Sequence, residues 1–248
     1  MENQYEIDGD TIEVINFNGK FTDEFKKYLV KNKKITFDSF FNSVVDEWPE
    51  GIEKIRLGFF FDNILKNLPS SLKKLEIQGK NFNHPLDNLP LKLEVLNLRN
   101  TRFNQPLENL PDSLKKIYLP IRFNQSLDFL PYGVEVLRFQ NYSHFSHSFD
   151  NLPPTIIKLE IPAFYPQEIN NLPDSIEELF IGVRRSYTYD NQKNYTKEVD
   201  LEIYPAQKNF KMITRFPKNL KKMYIFDDYK YIDELKEKLG DKLIIIHS

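Results

Sequence analysis

The chain has 248 residues, 40% of them apolar and 28% charged, the composition of an ordinary globular protein with enough apolar residues for a sizeable core. Its 34 Lys and Arg against 36 Asp and Glu leave a formal net charge of -2, so no global field draws it to nucleic acid or anionic lipid and any electrostatic preference has to be local. With no cysteine in the sequence, disulfides, thiolate metal ligation and a cysteine nucleophile are excluded.

From the N-terminus, Met1 to Asp10 is acidic and polar where a secretory signal would be basic and then apolar, and no apolar run approaches the ~20 residues of a membrane span. The expectation is an intracellular protein, cytoplasmic by default and in a host cytoplasm if the chain is viral, with no membrane partner. Ile12, Ile15 and Phe17 open a first coil. Thr22 to Val30 (TDEFKKYLV) then spaces its apolar residues for a helix, with an acidic start and lysines behind it. Ile35 and Phe37 sit in a second coil.

From Trp48-Pro49 onward the chain is periodic. An apolar-Pro dipeptide recurs at Leu68-Pro69, Leu89-Pro90, Leu110-Pro111, Leu130-Pro131, Leu152-Pro153 and Leu172-Pro173, and after a gap of two periods at Phe216-Pro217. Counting from each Pro, positions +3, +6 and +8 are apolar in all eight units. At this composition that agreement arises by chance about once in several billion trials, so the period is real. Upstream, position -8 is aromatic and -4 apolar, from Phe41 and Val45 through Phe103 and Leu107 to Tyr165 and Ile169.

The +6 and +8 positions are two apart, so both face one side of a short strand while the residues between them face the other. Coils stacked in register make a parallel sheet whose inner face meets the apolar residues of the return segment. Proline fixes φ and holds the preceding residue extended, which suits the corner between return segment and strand. Coils of 20 to 22 residues are too short for a long helix in each. The apolar +8 positions run Phe17, Phe37, Leu57, Ile77, Leu98, Leu119, Phe139, Ile161, Ile181, Ile203, Ile225 and Ile245, with Leu201 and Ile203 expected to fill the long gap. Tyr231 to Leu239 (YIDELKEKL) again has helical spacing. The expected fold is therefore α/β: a leucine-rich-repeat-like solenoid of about 12 coils, with one curved parallel sheet, a mostly non-helical convex side and helical capping coils at both ends. It is read as a single domain over 1–248, with capping coils in 1–40, regular repeats in 41–183, a divergent coil with a loop in 184–213 and the C-terminal coils and cap in 214–248.

Phe82-Asn83-His84-Pro85-Leu86, Phe103-Asn104-Gln105-Pro106-Leu107 and Phe123-Asn124-Gln125-Ser126-Leu127 each run into a Leu-Pro corner and an apolar-x-x-apolar-x-apolar stretch. They resemble the FNIP repeat, a leucine-rich-repeat relative abundant in social amoebae and in giant viruses of amoebae. The resemblance covers about Phe41 to Ile181, departs at Ser146, where Ser replaces Asn, and at Tyr165-Pro166, and rests on spacing alone through Arg184 to Ile213. It implies a protein-interaction module. The F-box often joined to such repeats needs roughly 40 to 50 residues of helix outside the solenoid. Residues 1–40 are already spent on two coils, so a ubiquitin-ligase role is not carried over.

The Asn that follows the inward Phe, at Asn42, Asn83, Asn104 and Asn124, is read as a structural ladder satisfying backbone groups of a buried turn rather than as a ligand-binding row. His144 and His147 with Asp150 have the makings of a metal site, but neutral imidazoles at a coil corner are commoner, and His84 and His247 have no recognisable partner. Asn-x-Ser/Thr patterns at Asn124, Asn141 and Asn194 are read as chance matches. Carboxylates are scattered without an acid/base spacing, and there is no Gly-rich phosphate loop, nucleophile elbow or zinc-protease helix motif. No enzymatic activity, cofactor or metal is expected.

The ordered surface left over is the outward face of the strands, positions +5, +7 and +9, which lines the concave side of a curved stack. Lys34, Lys54, Lys74, Lys116, Lys158, Lys222 and Lys242 make the +5 column basic. Arginine and aromatic residues are the usual anchors of protein interfaces, and Arg56, Arg99, Tyr118, Arg138, Phe180 and Tyr224 are the expected partner-binding set, facing a protein of acidic or mixed charge. The plainer reading is that Lys alternates with Glu53, Glu135 and Glu177 for solubility. The polar, Tyr-rich stretch 184–212 is either a second binding element or a decayed repeat. The function expected is a non-enzymatic protein–protein interaction scaffold. The alternatives are a self-associating structural component and, against the near-zero net charge, a nucleic-acid binder using the Lys column.

Overall fold

The computed structural model describes residues 4–15, 17, 20–21, 23–28, 31–140, 143–163, 165–189, 195–203, 213, 215–227 and 229–246, with the backbone alone for Gln4, Glu24, Lys26, 183–189, 195–203 and Phe226. A hairpin of β1 (Gln4–Asp8) and β2 (Thr11–Ile15) turns at Gly9, in the left-handed region at φ 58°, and leads to the short helix α1 (Asp23–Tyr28). One strand per coil follows: β3 (Lys34–Phe37), β4 (Lys54–Leu57), β5 (Lys74–Ile77), β6 (Val95–Asn97), β7 (Lys116–Leu119), β8 (Val136–Phe139), β9 (Lys158–Ile161) and β10 (Glu178–Ile181). A hairpin of β11 (Val183–Tyr189) and β12 (Tyr195–Ile203) forms its own two-stranded sheet, after which come β13 (Lys222–Phe226), α2 (Ile232–Leu239) and β14 (Leu243–Ile246). The main sheet has twelve strands in the order β1 to β10, β13, β14. All its pairs are parallel except β1 with β2.

In-register pairing stacks each apolar position on its counterpart, as with Ile117 on Leu137 and Leu119 on Phe139. The +3, +6 and +8 residues of the eight Pro units all lie in the core, none more than 2% exposed. Facing them, Phe41, Phe61, Phe82, Phe103, Phe123, Phe145 and Tyr165 form one ring stack, with successive centroids 5.7 to 6.4 Å apart. Each such ring removes enough apolar surface from water to stabilise the stack by up to ~3 kcal/mol. The last ring keeps a hydroxyl in the core: Tyr165 donates to the His147 carbonyl at 3.0 Å, and burial pushes its phenol up to about 12. At seven of the corners the +3 N–H donates to the Pro carbonyl, from Leu72 to Pro69 at 3.0 Å through Leu220 to Pro217 at 3.2 Å, so these corners are hydrogen-bonded turns begun by proline.

The spacing predicts about 12 coils; the main sheet has twelve strands, but only eleven of them, β2 to β10, β13 and β14, run parallel and make about ten turns, and they are not the expected set. The coil expected at Leu201 and Ile203 is absent from the stack: these residues pair with Arg185 and Val183 within the separate hairpin, and β10 pairs directly with β13. The segment has no Pro corner and no -8/-4 apolar pair to bind it to a neighbouring coil, so its strands satisfy each other locally. The strand that makes up the number is β1. The first coil is also out of phase with the expectation, because β2 pairs Ile12 with Ile35 and Val14 with Phe37. Ile12 and Val14 are the buried, two-apart pair, and Phe17 instead joins an end cluster with Phe21 at 4.8 Å and with Phe37 and Phe41 at 5.7 Å.

A short helix lies in the coil near each end, α1 between β2 and β3 and α2 between β13 and β14. Phe25 of α1 is fully buried against Tyr5 at 4.8 Å and Phe21 at 4.7 Å, while Thr22, Leu29 and Val30 of the expected helix lie outside the described residues. Helix α2 buries Leu235 and ends at Gly240, whose positive φ of 51° lets its N–H reach back to the Lys236 carbonyl.

Candidate functional site

Side chains bridge the coils along three lines. On the return side, Asn42 Oδ1 accepts the Asp62 N–H, Asn83 Oδ1 that of Asn104 and Asn104 Oδ1 that of Asn124, each at 2.8 Å, and Asn124 Oδ1 takes the N–H of Ser146 at 2.9 Å and its hydroxyl at 3.1 Å. Asp62 stands where the others have Asn, and His84 Nε2 lies 3.1 Å from both its carbonyl and its carboxylate, so His84 has a partner after all. A second line was missed in the sequence. Ser71, Ser113, Thr155 and Ser175, each two residues after a Pro, donate to the +3 carbonyl of the preceding coil at 2.7 to 2.9 Å, a signal visible in the column but too weak to assign without geometry. The third is ionic and runs just before the strands: Glu53 pairs with Lys33 at 2.6 Å and Lys73 at 3.1 Å, Lys115 with Glu135 at 3.5 Å and Lys221 with Glu177 at 2.8 Å. The lysines hold the Glu53 carboxyl below its ordinary range.

The outward face of the sheet is more closely packed than an exposed face suggests. Its central column runs Arg56, Glu76, Asn97, Tyr118, Arg138, Glu160, Phe180 and Tyr224. Glu76 is buried under Arg56 at 3.4 Å, Lys74 at 3.8 Å and the Gln78 amide at 2.9 Å. The Arg99 guanidinium lies 4.6 Å over the Tyr118 ring and reaches past two intervening strands to buried Glu160 at 4.0 Å. Arg138 lies 5.9 Å over Phe180, which stacks on Tyr224 at 4.3 Å and 10°. Five of the six expected partner-binding residues thus form one strip from β6 to β13, and Arg56 stands apart with Glu76. Phe180 is 2% exposed and sits within that strip as support, whereas Tyr118, Arg138 and Tyr224 are half-buried and reachable.

The Lys column is split. Lys74 and Lys158 engage Glu76 and Glu178, the latter pair at 2.8 Å, while Lys54, Lys116, Lys222 and Lys242 are exposed. Among the described residues no group of three or more His, Asp or Glu side chains is placed to hold a metal ion, and no helix is long and apolar enough to cross a membrane. Asn141, 190–194, 204–212 and His247 lie outside the described residues.

Comparison with protein families matches the FNIP repeat model three times, over residues 60–101, 82–122 and 103–142. No curated protein matches the sequence. Among solved structures, CroV588, described as a novel circular LRR protein, is 21% identical with a TM-score of 0.38 over 86% of this chain, which spans only 43% of that one.

Proposed function

For a chain whose central coils are FNIP repeats, we propose a non-enzymatic scaffold that holds Arg56, Arg99, Tyr118, Arg138 and Tyr224, with Phe180 as the buried support among them, against a partner protein of acidic or mixed charge, inside the cell. Solenoids of the leucine-rich-repeat type generally mediate protein interaction through an extended face. The observation that carries the reading is the strip from Arg99 to Tyr224, in which guanidinium groups lie over aromatic rings on one rigid sheet. Side chains already held by their own contacts lose little rotamer entropy on binding, and Arg and Tyr are the residue types that dominate interface energies. The exposed Lys54, Lys116, Lys222 and Lys242 beside them reject a partner that brings more positive charge.

The test is capture from native host lysate with the wild-type chain beside a Tyr118→Ala/Arg138→Ala variant shown to be fully folded at the capture temperature. A protein retained by the first and lost by the second supports the sheet-face site. Identical retention by both, or none by either, refutes it.

A further inference from the structure

Where strands β4 to β8 end, the chain turns outward before the next inward Phe, and these turns border an open groove of about 470 Å³. Phe59, Lys80, Thr101, Arg102, Ile121 and Arg122 line it, together with the amides of Gln78, Asn100 and Gln140, and no carboxylate does. Its frame is rigid: Thr101 Oγ1 donates to the Leu98 carbonyl at 2.7 Å and accepts the Phe103 N–H at 3.1 Å, and Gln140 Oε1 accepts the Ile121 N–H at 3.2 Å. Gly79 lets one turn sit directly on the coil below, since a Cβ there would lie 1.8 Å from the Phe61 carbonyl.

The cations of this groove are unlike those elsewhere. Among the described residues, Arg102 and Arg122 make no hydrogen bond, ion pair or ring contact through their side chains, and Lys80 only overlies Phe59 at 5.8 Å. By contrast, the lysines before the strands meet glutamates one coil away. Arg102 and Arg122 occupy the same place on adjacent coils, one residue before rings stacked 6.2 Å apart, so two like charges stand side by side without a counter-charge. Such a pair offers two guanidinium groups to an anionic partner.

The same column continues downward as Asn81, Phe60 and Phe40. Phe40 and Phe60 are 81% and 52% exposed and stacked on each other at 5.6 Å, an apolar step beside the basic one. This edge is therefore a ruler of five places, apolar, apolar, polar, basic, basic, spaced by a coil step of about 6 Å. An extended peptide presents alternate side chains on one side every ~6.6 Å, which matches that step. We propose that this edge binds an extended segment of a partner protein, with two apolar residues two apart and two carboxylates two apart, the first carboxylate four residues beyond the second apolar residue. Carboxylates would meet Arg102 and Arg122 as bidentate pairs, with Lys80 flanking them, and the apolar residues would cover Phe60 and Phe40. A single-stranded nucleic acid fits less well. Among the described residues three cations face it, the chain carries a net charge of -2, and the exposed rings of Phe40, Phe59 and Phe60 pack on one another instead of standing free for bases. The proposal shares the premise of a protein-binding scaffold but not the sheet-face site.

The probe is a fluorescein-labelled peptide, Leu-Thr-Leu-Thr-Ser-Thr-Glu-Thr-Glu, titrated with the full chain by fluorescence anisotropy beside a scrambled peptide, a peptide with Lys for Glu and a single-stranded oligonucleotide. Saturable binding of the first peptide alone is expected, weakened about tenfold or more by Arg102→Glu/Arg122→Glu and about threefold or more by Phe40→Ala/Phe60→Ala, each variant having an unchanged thermal transition. Tyr118→Ala/Arg138→Ala should bind the peptide as the wild type does. Absence of binding, equal binding of the scrambled peptide, tighter binding of the oligonucleotide or retention by the Arg102→Glu/Arg122→Glu variant overturns the proposal. So does loss in the sheet-face variant alone, which would assign the peptide to the sheet face. Failure of the edge leaves the lysate experiment on the sheet face undisturbed.

Discussion

From Phe41 to Ile181 every coil is tied to the next by a strand pair and a ring stack, and most coils also by a side-chain hydrogen bond. From Val183 to Ile203 the chain is as long as a coil, yet among the described residues its two strands pair with each other and not with the main sheet. The difference shows that period alone does not add a coil to a solenoid. Each added coil needs inward residues on both the strand and the return side, because stability is a sum of contacts between neighbours. Where the excursion ends, the stack is rejoined by charge: Asp174 pairs with Arg215 at 2.8 Å and Lys218 at 3.1 Å, and its carbonyl accepts the Asn219 N–H at 3.1 Å.

The sharpest way to break the regular region is Leu119→Asp, which buries a carboxylate in the +8 column. It should cost on the order of 4 kcal/mol or more and unfold the central coils. Its neighbour Tyr118→Ala removes mainly the Arg99 contact, worth about 1 kcal/mol. Equal falls in thermal midpoint for the two would mean that the faces are misassigned. Phe103→Ala, which opens the ring stack at a fully buried position, should cost about 3 to 5 kcal/mol by chemical denaturation. Asn104→Ala leaves the Asn124 N–H without its acceptor and should cost about 1 to 2 kcal/mol, whereas a Ser, whose hydroxyl oxygen can still accept, should recover part of it.

On the other side of the comparison, replacing 184–202 by a two-residue Gly linker should shift stability by less than about 1 kcal/mol, since Val183 and Ile203 are paired and lie close together. A loss as large as that of Phe103→Ala would show that the hairpin supports the stack. The smallest effect concerns Asp174, whose carboxyl Lys218 and then Arg215 hold below its ordinary 3.8. A depressed folded value means the contribution is present above 3.8 and fades as pH falls below it through the folded value, so acid unfolding of Asp174→Asn should begin from a lower baseline and lack that increment.

Much of this was legible in the residues. The eight Pro units announced the strands, the aromatic -8 column announced the ring stack, and the Asn column pointed to its bridging hydrogen bonds because an amide beside an inward Phe has little else to serve. Less legible was the outward face. Glu76 and Glu160 are buried there and Phe180 is sealed, because strands ~4.8 Å apart crowd long side chains into one another, and alternation alone cannot report that crowding. The unpaired Arg102 and Arg122 were invisible for the same reason: a charge is free or paired according to what the neighbouring coil places beside it.

Taken alone, the sequence determined the repeat, the inward positions and the corners, since these follow from local periodicity and from the backbone limits that proline imposes. Only the tertiary structure decided which segments joined the sheet, that β1 enters it and β12 does not, and which charges were neutralised, because strand pairing and ion pairing are choices among neighbours about twenty residues away in sequence.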